Sequence, residues 1–160
     1  MAAHGGGGTS VRLTRTSGWY SGPRWSPDGT RLAFTDLGSG EILVINADGS
    51  GLNNVTRNSA YDRDPSWSPD GTRLAFVSSR ESTTDAFRLD VFVADINGSN
   101  ARHLTSLVDY SSSPVWSPDG RQIIFSAGAS LYVMNADGSS LVRLTAPPAG
   151  SFDGAPAWKR

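Results

Sequence analysis

Apolar positions come along this chain in short bursts that recur at a fixed distance. Leu32 and Phe34, Leu74 and Phe76, and Ile123 and Phe125 each stand two residues apart, which puts each pair on one face of a strand. Denser apolar runs follow at Ile42–Ile45, Val91–Val93 and Leu131–Met134. Between the bursts lies turn chemistry. Pro-Asp-Gly precedes the first burst of each unit, where proline sets φ, aspartate bonds the backbone ahead and glycine takes positive φ. Asn46–Ser50, Asp95–Ser99 and Asn135–Ser139 close the second burst with another glycine turn. No window carries the 3.6-residue period of a helix, so the chain is predicted to be all-β.

The bursts belong to an internal repeat. Trp-Ser-Pro-Asp-Gly is written at Trp25–Gly29, Trp67–Gly71 and Trp116–Gly120, and a fourth copy starts at Pro156-Ala157-Trp158. The tryptophans lie 42, 49 and 42 residues apart. From the glycine of the second turn to the threonine that closes each repeat is 7 residues every time, so the hairpin between them has one geometry. Each unit offers four strands, beginning with a brief one over Pro-x-Trp-Ser. A four-stranded antiparallel unit of ~40–45 residues in series is the blade of a β-propeller. The blades are expected at about 23–64, 65–113 and 114–155, with strand fragments at 11–14 and 156–160. Met1–Ser10 reads as a flexible glycine-rich leader outside the fold.

Composition narrows the function classes. Net charge is -1 and charged residues are 18%, so no basic surface advertises nucleic acid or anionic lipid. No apolar run reaches the ~18 residues of a membrane helix, and nothing near the start resembles a secretory signal's apolar region. With no cysteine, disulfides and thiolate metal sites are excluded. Arginine accounts for 13 of the 14 basic residues, which looks like genome composition.

Pro-x-Trp-Ser-Pro-Asp-Gly-x-x-Leu-Ala-Phe, then Val-x-Asn-Ala-Asp-Gly-Ser, then Leu-Thr, resembles the TolB-type, WD40-like propeller repeat from Val11 onward. The resemblance implies a bacterial envelope protein, periplasmic by analogy, that works through protein partners and takes an extended peptide at the channel mouth. Propellers of that type have six blades, and three here make half a ring. An open arc exposes one apolar blade face at each end. At ~25 cal/mol/Å², a patch of roughly 300–600 Å² left wet forgoes about 7–15 kcal/mol. Closure by a second copy is therefore expected, as a homodimer with six blades. The leftover ends, an outermost strand at one end and an innermost at the other, are not expected to pair with each other.

Loop length varies on one side only. The segment Ser78–Asp90, with Phe87, is the one long loop between second and third strands, and insertions on one face of an array mark binding faces. The connections between blades share that side and carry an aromatic six residues before each tryptophan: Trp19, Tyr61, Tyr110 and Phe152. Tyr20, Asp62, Asp64, Asp109 and Asp153 lie beside them, with Arg24 and Arg63 breaking the repeat. These eleven residues form the candidate ligand site at the channel mouth. The competing structural account has the aromatics wedged between blades and the aspartates capping turns.

No catalytic set is visible. His103 falls on a last strand where the sibling repeats carry Asn54 and Val142, and is read as a surface residue. No nucleophile elbow, metal-ligand cluster or phosphate loop appears, so neither cofactor nor metal is expected. A non-catalytic scaffold is the favoured function. The alternatives are an accessory or gating propeller of a prolyl-oligopeptidase-like hydrolase, and an engineered or evolutionary propeller fragment with no ligand.

Overall fold

The computed structural model describes residues 12–14, 17–82, 88–107 and 109–159. The leader, Val11, Phe87 and Arg160 lie outside the described residues. Twelve strands form three four-stranded antiparallel sheets, and the described residues contain no helix. The first sheet runs β1 (Tyr20–Trp25), β2 (Arg31–Asp36), β3 (Glu41–Asn46) and β4 (Asn53–Asn54). The second runs β5 (Asp62–Trp67), β6 (Arg73–Ser78), β7 (Asp90–Asp95) and β8 (Arg102–His103). The third runs β9 (Ser111–Trp116), β10 (Gln122–Ala127), β11 (Ser130–Asn135) and β12 (Val142–Arg143). Within each sheet the strands pair in chain order. These are propeller blades.

The first strand of each blade is longer than Pro-x-Trp-Ser, because it starts one residue after the connection's aromatic. It carries a bulge that sequence patterning did not reveal. Register slips between Ser21 and Arg24, and between Arg63 and Ser66, with the matching slip in the third sheet. Gly22, Asp64 and Ser113 take left-handed backbone there, at φ 60°, 57° and 50°. Bulges of this kind re-aim side chains and gather near sites.

Serine is the hinge of the Trp-Ser-Pro-Asp-Gly turn. Ser26 Oγ donates to Asp28 Oδ1 at 2.5 Å and accepts the Arg31 N–H at 2.9 Å. Ser68 and Ser117 repeat both bonds in their own blades. Gly29, Gly71 and Gly120 close the turns at φ 70°, 68° and 72°. The repeat-closing threonines are just as specific. Thr56, Thr105 and Thr145 Oγ1 accept the N–H of Ile42, Val91 and Leu131 at 2.9–3.0 Å. That bond fastens the segment beyond the outer strand to the start of the third.

The Ser26 hydroxyl, then the Thr30 N–H and hydroxyl, lower the Asp28 pKa from 3.8 to about 2. A depressed carboxyl contributes stability that is present above the unfolded value and fades as pH falls from ~4 through ~2. An NMR titration of the Asp28 carboxyl should therefore show a midpoint near 2, moving up toward the ordinary ~3.9 in Ser26→Ala.

Two apolar cores lie between blades. Trp67, Leu74, Phe76, Phe92 and Ala94 of the second blade pack on Ala33, Ile42, Val44 and Val55 of the first. Trp116, Ile123, Phe125 and Met134 of the third pack on Ala75, Val77, Val91 and Val93 of the second. Each blade thus presents a bulky front and a small, branched back. Two of the arginines have a structural role that composition concealed: Arg31 lies 5.1 Å over the Trp67 ring and Arg73 4.8 Å over Trp116. Each is a cation–π contact from one blade to the next.

The first strands β1, β5 and β9 meet across blades, whereas the outer strands β4, β8 and β12 meet no strand but their own third, and reach the next blade only by side chains, Asn53 to Ile96 O and Arg102 to Asp137 O. The first strands therefore form the hub. Among the described residues, the two chain segments beyond the sheets do not pair with each other, and each lies against the blade nearest it. Residues 12–14 form no strand, but Leu13 lies against Gly49. Pro156 is buried, and Trp158 Nε1 donates to Val115 O at 3.1 Å.

Candidate functional site

The connections between blades are stitched to the loops beside them by a repeated pair of backbone bonds. The carbonyls of Trp19, Tyr61 and Tyr110 accept the N–H of Leu37, Ser79 and Gly128 in their own blade's second-to-third strand loop. One residue on, the N–H of Asp62, Ser111 and Asp153 donates to Gly40, Leu89 and Ala129 of the preceding blade. This stitching puts the connections and the variable loops on one side of the molecule, next to the hub.

Backbone anchoring leaves the side chains of the aromatics outside. Trp19 is 82% exposed, Phe152 79%, Tyr110 53% and Tyr61 39%. They stand out at the blade connections, and two of them also touch the preceding blade: Tyr61 at Gly40 and Tyr110 at Arg63. Tyr61 is the most covered because it lies over Gly40.

Arg63 and Tyr110 are brought together. The guanidinium lies 5.6 Å from the Tyr110 ring centroid, and its Nε stands 4.0 Å from Asp64 Oδ2. That nitrogen is buried and makes no hydrogen bond. Asp64 is turned by the bulge toward the next blade, where Oδ2 accepts the Ser113 N–H at 3.1 Å. The result is a stacked, under-bonded cation with a tethered carboxylate at its side. Such a group suits a carboxylate or a peptide carbonyl, since a guanidinium offers paired N–H donors in a fixed fork.

Other candidates are placed differently. Asp62 is fully buried and serves the fold: it accepts from Asn58 Nδ2 at 2.8 Å and from Arg80 at 3.3 Å. Tyr20 packs edge-on against Phe34 at 5.2 Å, on the front of the first blade. Arg24 is exposed, and its carbonyl takes the Trp67 indole N–H at 3.0 Å. Asp109 is exposed and lies against Gly128, while Asp153 is anchored by its backbone.

The long loop is tied in at both ends. Arg80 stacks on Phe76 and Phe92 at 5.3 and 4.8 Å, and Leu89, passed over in the sequence, is buried in the second core. His103 stacks on Phe92 with centroids 4.7 Å apart, and its Nε2 is 3.2 Å from Asp90 Oδ2. Among the described residues, no group of three or more His, Asp or Glu side chains is arranged to hold a metal ion.

The family profile described as TolB beta propeller domain matches residues 7–158. The chain belongs to the TolB beta-propeller family. Solved structures agree on the fold. A protein designated TolB from Agrobacterium tumefaciens matches with a TM-score of 0.70 at 20% identity, over 82% of this chain and 50% of its own. TolB from Acinetobacter baumannii gives 0.64 at 20% identity, over 78% of this chain and 32% of its own. An oligogalacturonate lyase in complex with manganese gives 0.62 at 25% identity, over 78% of this chain and 36% of its own. This TolB-family chain therefore spans half the length of the first and about a third of the others. No curated protein matches it by sequence.

Proposed function

We propose that this TolB-family chain is a non-catalytic interaction scaffold that closes a ring with a second copy of itself and binds an extended peptide across the hub mouth. The observation that carries the binding half is Arg63, stacked on Tyr110 with a buried Nε that no protein group satisfies. A peptide carboxylate would pair with the outer part of the guanidinium, the side chain being 29% exposed, while Asp64 stays beside the buried Nε. The TolB names among the similar structures favour a scaffold, and the lyase name favours catalysis. The placement of His103 supports the scaffold, because stacking on Phe92 and pairing with Asp90 hold it in a structural role.

Self-association follows from the blade faces. The front of the first blade carries Trp25, Leu32, Phe34, Leu43 and Ile45, in the pattern that is buried in the next two blades. The back of the third carries Ile124, Leu131, Val133 and Leu144, matching the small, branched backs. One end of the arc is complementary to the other, so a second copy fits both.

The binding test uses fluorescently labelled decapeptides, each with a free or an amidated C-terminus. The free acids should bind the full chain more tightly, and Arg63→Ala should weaken them by roughly tenfold or more, the weight of a charge-assisted hydrogen bond. Equal binding by Arg63→Ala and the native chain would remove the peptide site. Absence of binding by every peptide would favour a fragment without a ligand.

A further inference from the structure

Arg63 and Asp64 stand together at a bulge, and the fold requires neither of them there. At the same place, where the register slips, the first blade carries Ser21 and Gly22 and the third Ser112 and Ser113. Gly22 and Ser113 take the left-handed backbone at φ 60° and 50°, as Asp64 does at 57°. Glycine adopts that backbone freely, whereas an aspartate carries strain in it. Of the three blades, the second alone fills the bulge with a cation beside an anion.

The two charges do not use each other up. Arg63 Nε and Asp64 Oδ2 are 4.0 Å apart, and Oδ2 is turned to the third blade, where it accepts the Ser113 N–H at 3.1 Å. The guanidinium lies 5.6 Å from the Tyr110 ring centroid, a contact with the ring's π face that takes up none of its N–H donors. Among the described residues, the Arg63 Nη atoms and Asp64 Oδ1 have no hydrogen-bond partner, and both side chains reach solvent. All four residues belong to the junction of the second and third blades.

A donor fork next to a free acceptor is the complement of a carboxylate next to an N–H. The end of a peptide carries that pair on one carbon: its α-carboxylate and the amide N–H of its last residue. An internal acidic side chain holds its carboxylate one or two rotatable bonds further from its own amide, and those bonds would have to be frozen on binding. We propose that Arg63 and Asp64 together read the C-terminal residue of a peptide, with the α-carboxylate on the Arg63 Nη edge and the last amide N–H donated to Asp64 Oδ1. This rests on the peptide reading above and names the part of the peptide that is read. Asp64 supplies the selection. An end that lacks the N–H, as a C-terminal proline does, sets oxygen or carbon against its carboxylate and is refused.

Fluorescence anisotropy on the full chain tests this with three decapeptides labelled at the N-terminus. One ends in a free alanine and has no other acid. The second has lactate in place of that alanine, which exchanges the N–H for an ester oxygen and keeps the carboxylate. The third is amidated and carries its one carboxylate on an internal aspartate. The alanine end should bind the native chain about tenfold or more tighter than the other two. Asp64→Gly takes the residue of the first blade's bulge, and should bring the alanine and lactate ends within about twofold of each other. If circular dichroism shows that variant to be unfolded, Asp64→Asn carries the test. It keeps an oxygen for the Ser113 N–H and turns an NH2 toward the ligand, so the preference should vanish or reverse.

Equal binding of the alanine and lactate ends by the native chain, or a preference that survives in the folded Asp64 variant, would overturn the Asp64 contact. The peptide reading would then still stand if Arg63→Ala weakened both ends. Binding of the internal aspartate as tight as that of the alanine end would overturn recognition of the terminus alone. No binding by any of the three, or indifference of all three to Arg63→Ala, would remove the peptide reading and this one with it.

Discussion

Trp67→Ala should lower unfolding stability by about 3–5 kcal/mol in urea titrations, the largest loss expected from any single truncation of a Trp-Ser-Pro-Asp-Gly motif. Three losses coincide. The indole is 7% exposed inside the first inter-blade core, so its removal opens a cavity between two sheets. The Arg24 carbonyl loses its 3.0 Å donor, and the Arg31 guanidinium loses the ring beneath it. Trp25→Ala is the internal control. It heads the same Trp-Ser-Pro-Asp-Gly-Thr-Arg-Leu-Ala-Phe run, but its ring packs on no blade before it among the described residues and is 58% exposed. Under conditions where the chain is a monomer, its cost should stay below about 1 kcal/mol. Similar losses for both would mean that the motif acts within its own blade and not between blades.

Gly98→Ala should be the most damaging of the turn-glycine substitutions, at about 2–5 kcal/mol, combining left-handed strain with overpacking. Gly98 sits at φ 89°, where an added Cβ would stand 2.4 Å from the Val55 carbonyl oxygen, and backbone cannot swing aside. The blades would have to separate at that turn. Gly29→Ala, at φ 70° with nothing within 4 Å, should show the strain alone, about 1–2 kcal/mol. Thermal melts of the two variants side by side separate the terms. Equal shifts would show that the close approach to Val55 costs nothing.

Much of the fold was legible because the repeat wrote it in several copies. Trp-Ser-Pro-Asp-Gly, the glycine turns and the closing threonines specify local hydrogen bonds, and Ser26, Thr56 and their siblings make the bonds their spacing implied. Arg31 and Arg73 were legible only as composition, because their rings belong to a tryptophan of the next blade, some forty residues on. The bulge was hidden for another reason: glycine, aspartate and serine all occupy it, so no single residue type marks its left-handed φ.

The connections between blades were legible in outline. Position in the repeat puts all the candidates near one rim, but it does not say which side chains turn outward. Asp62 and Asp64 are two residues apart, and one is fully buried under Arg80 while the other reaches a neighbouring backbone. Pairing across loops decided that difference, and periodicity cannot express it. Leu89 was missed because it stands in a mixed-charge loop, yet it enters the second core.

The two cores also distribute cohesion unevenly. In a linear array, stability is the sum of each unit's own worth and its couplings to nearest neighbours. Three blades share two couplings, and the middle blade takes part in both. In the isolated arc, either outer blade can therefore peel away at the cost of one coupling, whereas unravelling the middle one forfeits two. Arg63 and Asp64 stand on that middle blade, so the stacked cation rests on the last part of the isolated arc to come apart.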